Sequence, residues 1–285
     1  MRIRRSSYPL LITPLLICAC TMLAPFAVSA QSDLDALRRD WVGTTVLLRG
    51  FYEGEELTFD RTGQLVGSAE AESWTASQVE IIGILKKDHQ CIVTGKRVAL
   101  QPDANGELKP IYRGRDGEKK QFEPEILKVV VKTENLYEFQ EALGQIFIKD
   151  GGDWLSVVPK YWRSYLEGDT AEVTGVDIGG VRRTLADGTK VYKVGGSISA
   201  PKATYTPDPQ YSRAASFSHY MGNATYEIVV DQNGYVRDVQ LEKPAGWGLD
   251  EDAVRVLKKW RFVPARDNGT VVAVQLNVEI RWRMY

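Results

Sequence analysis

Cysteine is nearly absent from this chain of 285 residues: Cys18 and Cys20 sit in an apolar leader, and Cys91 stands alone beyond it. A single remaining thiol allows no intrachain disulfide and no cysteine metal cluster. Histidine is as scarce. His89 and His219 are isolated, with no Cys, His or paired carboxylate at ligand spacing, so both are expected to face solvent rather than to ligate or catalyse. No sign of charge dominates, because 36 basic residues stand against 37 acidic ones, and nucleic acid has nothing to grip. Beyond Val28 no run is long and apolar enough to cross a bilayer. The pairs Gly151-Gly152 and Gly179-Gly180 lack a following Lys-Ser/Thr, so they read as turns and not as phosphate cradles.

What is present begins with an export signal. Met1-Arg2-Ile3-Arg4-Arg5 is a basic head, Leu10 to Val28 is almost wholly apolar, and Val28-Ser29-Ala30 offers small residues to a signal peptidase. The expectation is a leader over 1–30, cleavage before Gln31 and a periplasmic product. The alternative is an inner-membrane anchor over 10–29, although Pro14 and Pro25 interrupt that run. Cys20 is a poor lipoprotein signal because apolar residues continue past it. Loss of Arg2, Arg4 and Arg5 leaves a mature net charge of −4, and the remaining length suits two domains.

Residues 31–185 read as a β-rich α+β domain that we assign to no family. Asp33 to Trp41 predicts a short helix, and Asn135 to Ile148 carries the 3.6 period through Leu136, Phe139, Leu143 and Phe147. Trp154 to Leu166 predicts another helix, whose Trp154, Tyr161, Trp162 and Tyr165 read as core packing rather than a recognition surface. Strands are expected at Thr44–Phe51, Glu56–Asp60, Gln64–Ser68, Gln78–Lys86, Cys91–Leu100 and Ile126–Lys132, with a hairpin at Asp60-Arg61-Thr62-Gly63. The polar stretch from Gly106 to Lys120 reads as a mobile loop. Glu53, Glu55 and Glu56 with Asp60 read as solvated, and Cys91 as a small buried hydrophobe. A Gly/Pro linker is expected over 186–209.

The last stretch is the most patterned. Tyr226, Ile228 and Val230 alternate with Glu227 and Val229; Asp231-Gln232-Asn233-Gly234 follows, then Tyr235, Arg237, Val239 and Leu241. Asn-Gly between alternating runs predicts a hairpin, since both residues tolerate positive φ. Asp250, Glu251 and Asp252 open a helix whose last turn carries Lys258, Lys259 and Arg261, so charge matches the macrodipole at both ends, and Pro264 ends it. Leu257, Trp260 and Phe262 are its expected seam with the sheet. Trp247, between Gly246 and Gly248, reads as a packed cap over the hairpin. From Val272 to Met284 the period is two, with Gln275, Asn277, Glu279, Arg281 and Arg283 on one face. The order is helix, hairpin, helix, strand.

On Tyr211-x-x-Ala214, Gly222, Asp231-x-x-Gly234, Leu249-Asp250-x-x-Ala253, Trp260-Arg261-Phe262-x-Pro264-Ala265 and Gly269-x-x-Val272, residues 201–285 resemble the C-terminal domain of the TonB family. Ser212 stands where that family commonly has proline. The resemblance implies a small two-layer α/β domain over 210–285, and it implies that partner peptides pair along the last strand at Gln275, Leu276, Asn277, Val278, Glu279 and Ile280. Outward Gln275, Asn277 and Glu279 are expected to add side-chain selection.

The resulting expectation is a non-enzymatic periplasmic protein without cofactor or metal. Its partner is an outer-membrane receptor or another envelope protein in transport or envelope coupling, and a homodimer is also open. The alternative is an enzyme or small-ligand binder with its site in the first domain. TonB-type transducers place an anchor and a Pro-rich spacer where this chain has a globular domain. Export is checked by N-terminal sequencing of the secreted form: Gln31 is expected first, and an intact Met1 in the membrane fraction would reverse the assignment to an anchor.

Overall fold

The computed structural model describes residues 24–117, 121–149, 154–168 and 181–284. Of the expected leader, residues 1–23 lie outside the described residues, and 24–30 form the start of helix α1 (Ala24–Trp41). Among the described residues no helix is long and apolar enough to cross a membrane.

The fold is α+β, with a β-rich first unit followed by the helix–hairpin–helix–strand module. In the first unit, β1 (Thr45–Leu48), β2 (Glu56–Phe59), β3 (Gln78–Lys87), β4 (Gln90–Pro102), β5 (Leu108–Tyr112), β6 (Gly114–Asp116), β7 (Phe122–Pro124) and β8 (Ile126–Val131) precede α2 (Leu136–Ile146) and β9 (Phe147–Lys149). The main sheet runs β2-β8-β4-β3-β1-β9, with β5 on the same flank of β4 as β8. The period-3.6 face of α2 (Phe139, Ala142, Leu143, Ile146) and the α1 residues Leu34, Leu37 and Trp41 cover one face of this sheet. Cys91 is fully buried within that core.

Two expectations are corrected here. Of the expected loop from Gly106 to Lys120, residues 118–120 lie outside the described residues, and the described part, 106–117, is largely strand. β4 outruns β8, which pairs only Cys91–Lys96, and β5 takes up the edge left over at Val98–Pro102. Gln64–Ser68 forms no strand beyond a single bridge of Leu65 to Phe59, because Asp60 Oδ1 accepts from Thr62 N at 2.8 Å and Gln64 N at 3.0 Å and holds a tight turn.

After α3 (Trp154–Val157) and α4 (Lys160–Glu167) come β10 (Val181–Thr184), β11 (Lys190–Lys193), β12 (Lys202–Tyr205), α5 (Arg213–Phe217), β13 (Gly222–Val230), β14 (Val236–Lys243), α6 (Leu249–Leu257), β15 (Arg261–Val263), β16 (Ala265–Asp267) and β17 (Thr270–Trp282). The second sheet runs β10-β11-β17-β13-β14. Residues 186–209 are not a free linker: β11 pairs with β17 and β12 with β15, since their alternating short runs find strand edges to satisfy their backbone. The β13–β14 turn is fixed by Asp231 Oδ1, which accepts from Asn233 N and Tyr235 N, each at 2.9 Å. Gly234 there has φ 80°, and a Cβ on it would lie 1.9 Å from the Phe262 carbonyl oxygen. Leu257 is fully buried, whereas Trp260 and Phe262 are half-buried; Trp260 Nε1 donates to Pro207 O at 3.0 Å.

One buried core runs through both units. Leu47, Trp74, Ala99, Leu100 and Trp162 pack with Tyr226, Ile228, Leu249, Leu257 and Val274. The second face of the first sheet is therefore covered by the module. Trp162 is the pivot: it meets Trp74 edge-on at 5.1 Å, and its Nε1 donates to Glu251 at 3.1 Å. We expect Trp162→Ala to cost about 3–5 kcal/mol, the range for truncating a fully buried tryptophan. Urea unfolding checks this, and a loss below about 1 kcal/mol would mean the seam carries little of the fold's stability.

Candidate functional site

The residues expected to receive a partner lie on β17, whose inner edge is fully used. β13 pairs with it antiparallel from Gly222↔Trp282 to Val230↔Val274, so Leu276 faces Ile228, Asn277 faces Glu227, Val278 faces Tyr226, Glu279 faces Thr225 and Ile280 faces Ala224. On the outer edge β11 pairs with Ala273–Gln275, and before that stretch β16 pairs with Thr270–Val272 to close a hairpin. From Leu276 to Trp282 no strand pairs with that edge among the described residues.

Side chains alternate as the period of two requires. Leu276, Val278, Ile280 and Trp282 join the core under the helices, while Asn277, Glu279 and Arg281 point to the other, exposed side. Arg281 donates to both oxygens of Glu279, at 2.9 and 2.7 Å, and this pairing holds the Glu279 carboxyl below the usual range. Gln275 departs from expectation. It is buried, its backbone lies opposite Lys193, and its side-chain amide donates to the Glu227 carboxylate. The covering hairpin of β10 and β11 takes it out of solvent, which corrects its expected outward role.

A second feature was missed in the sequence. Glu53, expected to be solvated, is buried and takes a two-pronged bond from Arg113, at 2.8 Å to Oε1 and 2.9 Å to Oε2. Arg113 also donates to Ala76 O at 2.7 Å and meets Glu125 at 2.9 Å. Arg97, equally buried, donates to Tyr52 O at 3.0 Å and Gly54 O at 2.7 Å. Burial opposes ionisation of Glu53, but Arg113 and Arg97 outweigh it and hold the carboxyl low. Glu72 lies beside them; burial and the charge of Glu53 push its carboxyl up to about 7. The cluster is thereby balanced, with two guanidinium groups facing the carboxylates of Glu53 and Glu125 while Glu72 holds its proton more tightly. No local signal announces this, because the partners come from distant positions in the chain.

Glu72 links the units. Its Oε1 accepts from Ala214 N at 3.3 Å and from Arg213 N, so it caps α5. Three residues on, Thr75 Oγ1 accepts from Gly248 N at 2.9 Å at the start of α6. Trp247 N donates to Leu100 O at 3.1 Å, and its ring stacks on Tyr220. Gly246 beside it has φ 75°, and a Cβ there would sit 2.2 Å from the Leu100 carbonyl oxygen, so only glycine allows this approach. Asp250 is fully buried and accepts from Tyr226 OH at 2.7 Å, Ala245 N at 3.0 Å and Gly246 N at 2.7 Å. Burial pushes its carboxyl up to about 6, and burial with the nearby Asp250 charge pushes Glu251 to about 8. An open groove of about 440 Å³ lies along this seam, lined by Glu72, Tyr211, Arg213, Glu251, Asp252 and Arg255 among others. No group of His, Cys, Asp and Glu suited to a metal is found among the described residues. His89 and His219 are exposed, His89 resting 3.3 Å from Glu134.

The module is two-layered, and among the described residues it leaves the outer edge of β17 unpaired from Leu276 to Trp282. Residues 207–284 match the family described as Gram-negative bacterial TonB protein C-terminal. Protein TonB of Vibrio cholerae serotype O1 is 32% identical over 77 residues, which cover 27% of this chain and 32% of that protein. The chain thus spans about a third of that curated relative's length. A solution structure of the Pseudomonas aeruginosa TonB C-terminal domain is 23% identical, with 32% of this chain and 89% of that one covered and a TM-score of 0.27. The chain carries a TonB C-terminal domain segment at its end.

The seam also sets a pH dependence. Glu72, Asp250 and Glu251 all have folded-state pKa values raised above their ordinary ones, to about 7, 6 and 8. The folded chain then binds these protons more tightly than the unfolded chain, so their contribution is complete below about pH 4 and is lost as pH rises through 6 to 8. The urea midpoint is expected to be lower at pH 8.5 than at pH 5.5, and Glu72→Gln should flatten the slope. A midpoint that holds or rises over that interval would contradict the assignment.

Proposed function

We propose that this is a non-enzymatic protein of the bacterial envelope, working in the periplasm in outer-membrane transport or envelope coupling. In this reading its TonB C-terminal-like segment takes up an extended peptide from a partner protein along β17. The observation that carries the reading is the open outer edge from Leu276 to Trp282, beside a strand whose other edge is fully paired. Backbone N–H and C=O groups there offer sequence-tolerant affinity, and Asn277 and Glu279 face the side from which selection can act. Gln275 joins this set only through its backbone. The likeness to TonB of Vibrio cholerae serotype O1 over the matched residues supports a protein partner, and an outer-membrane receptor or another envelope protein is the class we propose. The first unit holds the segment through the seam, where a transducer would carry an anchor and spacer.

Proline substitutions test the edge. Successive residues on a strand aim their backbone groups to opposite sides, so only one of Asn277 and Val278 can donate outward. Asn277→Pro and Val278→Pro are compared for folding by circular dichroism and for binding to N-terminal peptides of outer-membrane receptors. One variant should stay folded and lose most of its binding, while the other should lose stability through the β13 ladder. Equal binding by wild type and both folded variants would remove β17 as the recognition strand.

A further inference from the structure

The β10–β11 hairpin occupies part of the strand edge on which the proposed function rests, and its attachment differs in kind from that of the other strands. β11 meets β17 through three parallel pairs, Val191↔Ala273, Tyr192↔Val274 and Lys193↔Gln275, whereas β13 meets it through nine antiparallel ones. Its apolar footing is Val191 on Val229 and Ala273, with Leu185 beside them, on the far face, and the half-buried Tyr192 and Val194 against the main core on the other. Charge does the rest. Arg183 on β10 reaches over the sheet to Asp238 at 2.9 Å and to Glu227 at 3.4 Å. From the hairpin turn, Asp187 meets Arg237 at 3.2 Å. Gly195 and Gly196, both at positive φ, follow directly and let the chain turn away from the sheet.

A ladder of three pairs, an apolar contact of a few side chains, two of them only half-buried, and ion pairs at a partly exposed rim make a unit whose opening costs less than unfolding the module. We infer that the β10–β11 hairpin is a strap that opens on its own, leaving the rest of the module folded, and that its opening lengthens the free edge of β17 from Leu276–Trp282 back to Ala273. This deepens the peptide-pairing reading and rests on it for its partner. With the strap closed, the edge accommodates a strand of seven residues; with it open, ten, and Gln275 becomes reachable. The occupant of the added stretch is the same extended peptide, because the backbone groups released at Ala273–Gln275 were already engaged by a strand. A longer partner strand thus competes with the strap, and its apparent affinity is reduced by the fraction of molecules in which the strap is closed.

Hydrogen–deuterium exchange on the full chain decides whether the strap opens alone. Amides of Lys190–Lys193 are expected to exchange well ahead of those of Ile228 and Val278, and faster still in high salt, which screens the ion pairs. Arg183→Ala, and separately Arg237→Ala, which leaves the hairpin sequence intact, should each speed that exchange several-fold while Ile228 is unchanged. If Lys190–Lys193 exchange as slowly as Ile228 in wild type and in both variants, the hairpin opens only with the whole module and the inference is overturned. Receptor-derived peptides of twelve residues should bind Arg183→Ala or Arg237→Ala about three- to tenfold tighter than wild type, the gain expected from weakening one or two such ion pairs. Peptides of seven residues should show no gain. Equal affinity of twelve-residue peptides for wild type and variants would overturn the lengthened edge. If no peptide binds any of the proteins, the peptide-pairing reading fails, and the strap is then judged on exchange alone.

Discussion

The bond of Arg113 to Glu53 inside the first unit is the constraint on which the rest depends. A buried guanidinium is tolerated when most of its donors are used, and here Glu53, Glu125 and the Ala76 carbonyl take those on Nη1 and Nη2. That arrangement fixes the chain from Glu72 to Ala76 against β4 and β6. The same short stretch then supplies the cap of α5 through Glu72 and a bond to the start of α6 through Thr75. Breaking the ion pair would leave a buried charge and would also loosen the N-termini of both module helices. A polar cluster of this kind adds little net stability compared with an apolar replacement, but it fixes one relative placement of two units.

Placement matters because the module's helix side is closed by the first unit. Trp162, Trp74 and Leu100 pack where Tyr226, Leu249 and Leu257 present their apolar surface. The module is thus covered on one side, and β14 contacts α4 at one end of the sheet. The outer edge of β17 stays unpaired from Leu276 to Trp282 among the described residues, and before that stretch it is taken up by β11. In the proposed reading, the rest of the chain narrows strand pairing to this defined stretch.

Much of the module was legible in the sequence for physical reasons. Period two over Val272–Met284 follows from a strand with one side on the core, and Asp231 to Gly234 can scarcely be anything but a turn. The helices α2 and α6 were legible through apolar spacing and caps. The first unit was harder to read. β5 and β6 look polar because they lie at sheet margins, where pairing rather than burial makes the strand, and periodicity is blind to that. Residues 186–209 read as a linker because Gly195, Gly196 and the prolines mark turns, yet the runs between them find strand edges that only the assembled sheet supplies. Glu53 and Arg113 lie 60 positions apart, so local charge patterning describes them as solvated.

Gln275 shows how the candidate site depends on tertiary context. Alternation assigns it to the polar face with Asn277 and Glu279, and that assignment is geometrically right. Burial was not foreseeable, because the surface that covers it comes from Arg183 and the hairpin, and the Glu227 carboxylate it meets is itself half a sheet away in sequence. A polar side chain on an outward face becomes interior once a second layer is laid over it, provided its amide finds a partner, and Glu227 is that partner. The same layer that removes Gln275 from solvent leaves Asn277 and Glu279 exposed. Which polar residues of β17 stay accessible is therefore set less by the strand's own alternation than by how far the hairpin extends over them.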